Sequence, residues 1–278
     1  MRAALVAAAL IGLPLASLAA QGIVISPHFV FIPEQGRSTT IDLHNTAGVS
    51  TDVTISTAFG SYATDSVGGI LVVSDTNPPS TAPSAARWVE IYPRHVVLRP
   101  NQHQTIRILA AAPAGLPDGE YRARLVVASR AITPPQAPPE DGETHIALNF
   151  EIRTSLSLIY RKGAVTTGVK ISNPRATVNG DYLDVRVHLE KLGNGSYFGR
   201  LRGGLLDAGN RVVVPLEVVL GLNDSMDPRF RLPLGKLRSG TYTLRLSLTS
   251  DRSDIPPEDL LTAPREVWEG KIVIQRGY

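Results

Sequence analysis

Histidines, clustered carboxylates and hydroxyl nucleophiles are where chemistry would start in this chain, and their spacing sets up none. The six histidines, His28, His44, His95, His103, His145 and His188, are dispersed, and none falls in an HExxH-type arrangement that would put two imidazoles on one metal. His95 and His103 flank one hairpin and are the pair that could approach each other. Asp251, Asp254, Glu258 and Asp259 share a loop, but Pro256-Pro257 interrupts them and the spacing departs from a calcium-binding loop. No GxSxG stretch supplies a nucleophile elbow. The sequence therefore predicts a protein that is not an enzyme and takes no metal and no cofactor.

Recognition chemistry is written more clearly. In Thr144–Arg161 (THIALNFEIRTSLSLIYR) the even positions from Ile146 to Tyr160 are apolar except Thr154, and the odd positions are mostly polar. Period two places Ile146, Leu148, Phe150, Ile152, Leu156, Leu158 and Tyr160 on one face of an extended chain. At about 3.3 Å per residue such a strand runs roughly 50–60 Å, whereas ordinary strands stop at about 5–6 residues. Part of its apolar face must be covered by a second domain or by another protein. Residue spacing alone leaves two readings open: a strand shared by two stacked domains, or one offered to a partner.

The elements that position this strand follow from the rest of the pattern. Alternating segments cover Ile23–Ile32 (broken at Pro27), Ser38–His44, Thr51–Phe59, Ile70–Val73, Trp88–Tyr92, Val96–Leu98, Thr105–Ala110 and Glu120–Ser129, each bounded by turn residues. Arg161-Lys162-Gly163 interrupts the alternation. Beyond it lie Val165–Ser172, Tyr182–Leu192, Tyr197–Arg202, Arg211–Leu220, Phe230–Leu234, Thr241–Thr249 and Glu266–Gln275. Short strands at this spacing predict an all-β chain of two immunoglobulin-like sandwiches joined by a short elbow, over residues 21–161 and 162–278. Tyr121 and Tyr242, each just after a glycine-containing turn, have the position of a corner tyrosine whose hydroxyl ties a loop to its sheet. The stretches 76–86 and 132–143 are proline-rich loops.

Residues 1–20 read as a cleaved export signal: Arg2, an apolar run over Ala3–Leu18, and small residues at Ala19-Ala20. The run is too short for a stable membrane span, so the mature protein is expected outside the cytoplasm. There is no cysteine, and stability outside the cytoplasm must come from burial and hydrogen bonding. The net charge is only +3, with basic residues scattered and no aromatic interleaving, which argues against nucleic acid as a partner.

Three stretches together resemble periplasmic pilus-assembly chaperones of the PapD-like type. They are Ile25–Asn45, Tyr92–Ile108 (YPRHVVLRPNQHQTIRI), and Asp118–Ser129 (DGEYRARLVVAS) followed by a loop and the long strand. The resemblance covers residues 22–162 and fades beyond. It implies a chaperone that lends a strand to secreted pilin-like subunits lacking one, and passes them to an outer-membrane usher. On this sequence the lent residues would be Ile146, Leu148, Phe150 and Ile152, with Leu156, Leu158 and Tyr160 closing the chaperone's own core. The resemblance also implies basic residues that hold the subunit's terminal carboxylate, but the matching positions here are Phe29 and Ser157. Arg161, Lys162, Arg153 and Arg94 are the local substitutes, Arg161 first because it sits at the elbow. The alternative is a structural or adhesive envelope protein of tandem sandwiches. That reading expects Ile146–Ile152 to be buried against the molecule itself. A carbohydrate-binding module would want an aromatic platform, which the chain hardly offers.

Overall fold

The computed structural model describes residues 22–75, 77–132 and 149–275, and every regular element among them is a strand. The opening segment divides at Pro27, which has no N–H to give a ladder, so the chain passes from one sheet to the other. β1 (Ile23–Ser26) pairs with β3 (Ser38–Asn45), and β2 (Phe29–Ile32) belongs to the facing sheet. β4 (Thr51–Thr64), β5 (Ile70–Asp75), β6 (Val89–Tyr92), β7 (His95–Leu98), β8 (His103–Ala110), β9 (Gly119–Ala131) and β10 (Glu151–Lys162) complete the first sandwich. One sheet runs β1-β3-β8-β6; the other runs β2-β10-β9-β4-β5, with β7 also on β4. All pairings are antiparallel except β2 with β10. Alternation sends Ile41, Leu43, Ile106 and Ile108 from one sheet against Val30, Val53, Ile55, Leu125, Leu156 and Leu158 from the other.

β11 (Thr167–Asn179), β12 (Tyr182–Gly193), β13 (Tyr197–Leu206), β14 (Val212–Leu222), β15 (Arg229–Pro233), β16 (Gly240–Thr249) and β17 (Glu266–Ile274) form the second sandwich, with sheets β11-β12-β15 and β14-β13-β16-β17. Two of its strands outrun the expected bounds for physical reasons. β11 continues past Ser172 because a register shift absorbs Asn173-Pro174 before pairing resumes at Arg175. β13 continues through Gly203-Gly204, where a side chain would lie 1.9 Å from the carbonyl oxygens of Arg245 and Val214. Both corner tyrosines are formed: the Tyr121 hydroxyl donates to Pro117 O at 2.8 Å and the Tyr242 hydroxyl to Arg238 O at 2.9 Å.

The two sandwiches meet at a third apolar cluster. Phe29, Ile159, Phe198 and Ile255 are buried there, with Phe31, Tyr62 and Leu260 around them. Phe29 and Phe198 meet edge to face at 5.4 Å. This accounts for Ile159, an apolar residue on the otherwise polar side of β10: it faces the second sandwich while Leu158 and Tyr160 fill the first. β10 ends at Lys162 and the chain turns at Gly163, where φ is +59° and a side chain would strike the Asp118 carboxylate at 2.2 Å.

Candidate functional site

β10 has two halves with different surroundings. On one side it pairs with β9 along its whole length, from Glu151 opposite Arg130 to Lys162 opposite Gly119. On its other side β2 covers only Ser157–Tyr160. Among the described residues no strand pairs with that side of Glu151–Leu156, so this half-strand presents unused N–H and C=O groups.

Its apolar face divides at the same place. Leu156, Leu158 and Tyr160 are buried, whereas Phe150 is 71% exposed and Ile152 53% exposed. The expectation of one strand from Thr144 is corrected at its start: Asn149 and Phe150 are not in strand conformation, and β10 begins at Glu151. β9 itself ends at Ala131, one residue beyond the Arg130–Glu151 pair. Ile146 and Leu148, like the signal at residues 1–20, lie outside the described residues.

Three of the four basic residues singled out from the sequence are engaged within the molecule. Arg161 pairs with the buried Glu120 at 3.2 Å, donates to Asp259 O and lies over the Phe31 ring. One of its terminal nitrogens, Nη2, is buried with no acceptor. Lys162 Nζ donates to Leu116 O. Arg153 pairs with Glu151 at 2.6 Å, and Arg130 pairs with the same carboxylate at 3.0 Å. Hydrogen bonds from Arg153 first, then Arg130, hold the Glu151 carboxyl below its ordinary value. Arg94 is exposed in the turn between β6 and β7. The structure therefore does not bring these four to one point. His95 and His103 do not meet either: His95 bonds Asp52 at 2.5 Å, and His103 stacks on His44 across β3–β8.

A different arginine occupies the elbow. Arg124 on β9 stands directly opposite Ser157 on β10 and is only 5% exposed. Its Nη1 donates to Ser157 Oγ at 2.6 Å and its guanidinium lies 5.0 Å over the Tyr62 ring. No carboxylate among the described residues pairs with it. Gly60 on β4 makes the room, since a side chain there would come within 2.7 Å of Arg124 Cγ. Arg122, two residues earlier on the same face, reaches Asn223 O and has Asp224 at 3.6 Å. Burial pulls the Arg122 guanidinium below its ordinary value, Asp224 and Glu120 oppose this, and the charge of Arg124 adds to the fall. Arg252, from the second sandwich, is bidentate to Asp254 and covers Phe29 at 5.1 Å. Sequence reasoning passed over Arg124. The available signal was two arginines, Arg122 and Arg124, at i, i+2 inside an apolar strand.

A buried polar chain crosses between the sandwiches beside this site. Tyr62 N donates to Asn223 Oδ1 at 2.9 Å, Asn223 Nδ2 to Ser196 Oγ at 2.8 Å, and Ser196 Oγ to the Glu120 carboxylate that Arg161 also holds. The elbow is thereby fixed by directional bonds as well as by apolar contact.

The fold and this strand define a two-sandwich, immunoglobulin-like protein with an open half-strand on its first sandwich. No family model matches the sequence, and no curated protein matches it. Solved structures similar to the chain include the YadV chaperone, with a TM-score of 0.46 and 15% identity over 91% of this chain and 99% of that one. The CsuC–CsuE chaperone–tip subunit complex of Acinetobacter baumannii gives 0.45 and 12% over 89% and 97%. The Pseudomonas aeruginosa CupB2 chaperone gives 0.45 and 13% over 88% and 98%.

Proposed function

We propose that this chain is a periplasmic assembly chaperone that caps pilin-like subunits by adding the front half of β10, with the residues before it, to an incomplete sheet. The observation that carries the reading is the unpaired side of Glu151–Leu156 together with the exposure of Phe150 and Ile152. An apolar half-strand with free backbone groups is an aggregation hazard alone and a binding element with a partner. Ladder bonds supply affinity, and alternating side chains (Phe150 and Ile152, continuing the pattern of Leu148 and Ile146) supply register. Release to a subunit with a better-matched strand at an outer-membrane usher needs no nucleotide, because the exchange runs toward the more stable pairing. In the tandem-sandwich alternative Ile152 and Phe150 are sealed inside, and their exposure favours the lending of a strand.

Arg124 is the residue we assign to the subunit's carboxylate, ahead of Arg161, Lys162, Arg153 and Arg94. A buried guanidinium bonded to one hydroxyl is poorly compensated until an oxyanion arrives. The test is co-expression with a tagged secreted subunit. Phe150→Asp with Ile152→Ser is expected to leave the chaperone folded and to abolish co-purification. Full retention of the subunit by that double variant overturns the proposal.

A further inference from the structure

The sheet that carries β10 has a second bare edge at its opposite end. β5 pairs with β4 on one side and with nothing on the other among the described residues. Leu71, Val72 and Val73 are 38%, 42% and 49% exposed. Edge strands of soluble proteins are ordinarily protected by proline, charge or bulges, as both edge strands of the second sandwich's larger sheet, β14 and β17, and the edge strand β11 are. β14 has Pro215 within it, β11 has its register shift at Pro174, and β17 carries Lys271. β5 has no proline, bulge or charged residue before its terminal Asp75.

The edge is also held rigid. At the tip of the β4–β5 hairpin Gly68 O accepts from Arg229 N of the second sandwich at 2.8 Å, and Ile70 packs on that sandwich's core. Asp65 N donates to Gly69 O at 2.9 Å, so in the antiparallel register Leu71, Val73 and Asp75 bond toward β4. Ile70, Val72 and Ser74 must then direct their N–H and C=O groups outward. These three positions are self-complementary. A two-fold axis through Val72 sets Val72 against its own copy and Ile70 against Ser74 as hydrogen-bonded pairs, with Leu71 against Val73 at the non-hydrogen-bonded positions between them. Asp75 then faces Gly69, and no like charges oppose.

We propose that β5 is the seam of a two-fold homodimer, in which the sheets of two copies join edge to edge. Because β5 ends the sheet order and the open side of β10 faces the other end, such a dimer leaves both open half-strands free. The inference does not depend on what β10 binds.

The chain has no cysteine, so Val72→Cys introduces one thiol. Residues facing each other across the axis have Cα atoms about 5.5 Å apart, within disulfide range. Mild oxidation is expected to cross-link Val72→Cys into a dimer and to leave Asp75→Cys monomeric. In sedimentation equilibrium across the micromolar range the parent chain is expected to self-associate. Val72→Lys should weaken that by at least about tenfold with an unchanged far-ultraviolet spectrum, since an edge lysine blocks strand pairing. A parent chain that stays monomeric, cross-linking through residue 75 rather than 72, or a dimer lost in Phe150→Asp but kept in Val72→Lys would each overturn the proposal.

Discussion

Arg124 and Ser157 face each other across the β9–β10 ladder, joined by a 2.6 Å hydrogen bond, with Arg124 buried and without a carboxylate partner among the described residues. A structural arginine in such a place is normally paired, because an isolated buried charge is costly. Arg161 shows the contrast: its buried Glu120 lies 3.2 Å away.

The two arginines should therefore respond oppositely to removal. Arg124→Met deletes an uncompensated charge, with its contact over the Tyr62 ring, and keeps an aliphatic stem beside Gly60. We expect stability unchanged or raised by up to roughly 1–4 kcal/mol, with subunit capture lost. Urea unfolding and co-purification measure the two effects. A clear loss of stability in Arg124→Met would make the residue structural and remove it from the site.

Arg161→Met, by comparison, leaves Glu120 buried, with Ser196 but no cation in contact with it. Breaking a buried pair from one side costs about 3–5 kcal/mol. Since Arg161 also bonds Asp259 O across the elbow, loss of the fixed interdomain angle should accompany the lower unfolding midpoint. Small-angle scattering reads that angle. A variant with the parent's scattering curve and midpoint would show that the apolar cluster around Phe29 and Phe198 holds the elbow by itself.

β10 should divide sharply under substitution at Leu156. Leu156 is 1% exposed, and Leu156→Ala is expected to cost about 2–5 kcal/mol through the cavity it leaves. Ile152→Ala, four residues earlier on the same face, is 53% exposed in the parent and should change stability by less than about 0.5 kcal/mol. Chemical unfolding of both variants tests the boundary. A large cost at Ile152 would mean that the front half is covered after all.

Much of this was legible in residue order, because strand alternation is local. The burial of Leu156, Leu158 and Tyr160, the break at Pro27 and the corner tyrosines at 121 and 242 all follow from neighbours a few positions apart. Arg124 was not legible, because its meaning depends on Ser157 and Gly60, which are distant in sequence and become neighbours only through the ladder. The length of β4 was hidden similarly. Gly60 reads as a break after Phe59, yet it is the gap that admits Arg124, and the strand runs on to Thr64 to reach the second sandwich. Asn173-Pro174 reads as a strand end, and only the partner β12 shows that pairing resumes.

Asp184 gives a pH-dependent test in the second sandwich. Hydrogen bonds from Arg231 first, then Arg229, with a further bond from Asn179, hold its carboxyl well below the usual carboxylate range. A pKa depressed on folding adds stability that is present above the unfolded value of about 3.9 and is lost as pH falls through the folded value. Asp184→Asn should therefore be less stable than the parent at pH 7. The difference should shrink as pH drops below about 4, and also with added salt, because Arg231 is half exposed. Unfolding midpoints of both proteins across pH 2–7 give the comparison. A gap that stays constant down to the lowest pH would mean that the carboxylate charge is not what joins β12 to β15, and that shape and neutral hydrogen bonds suffice there.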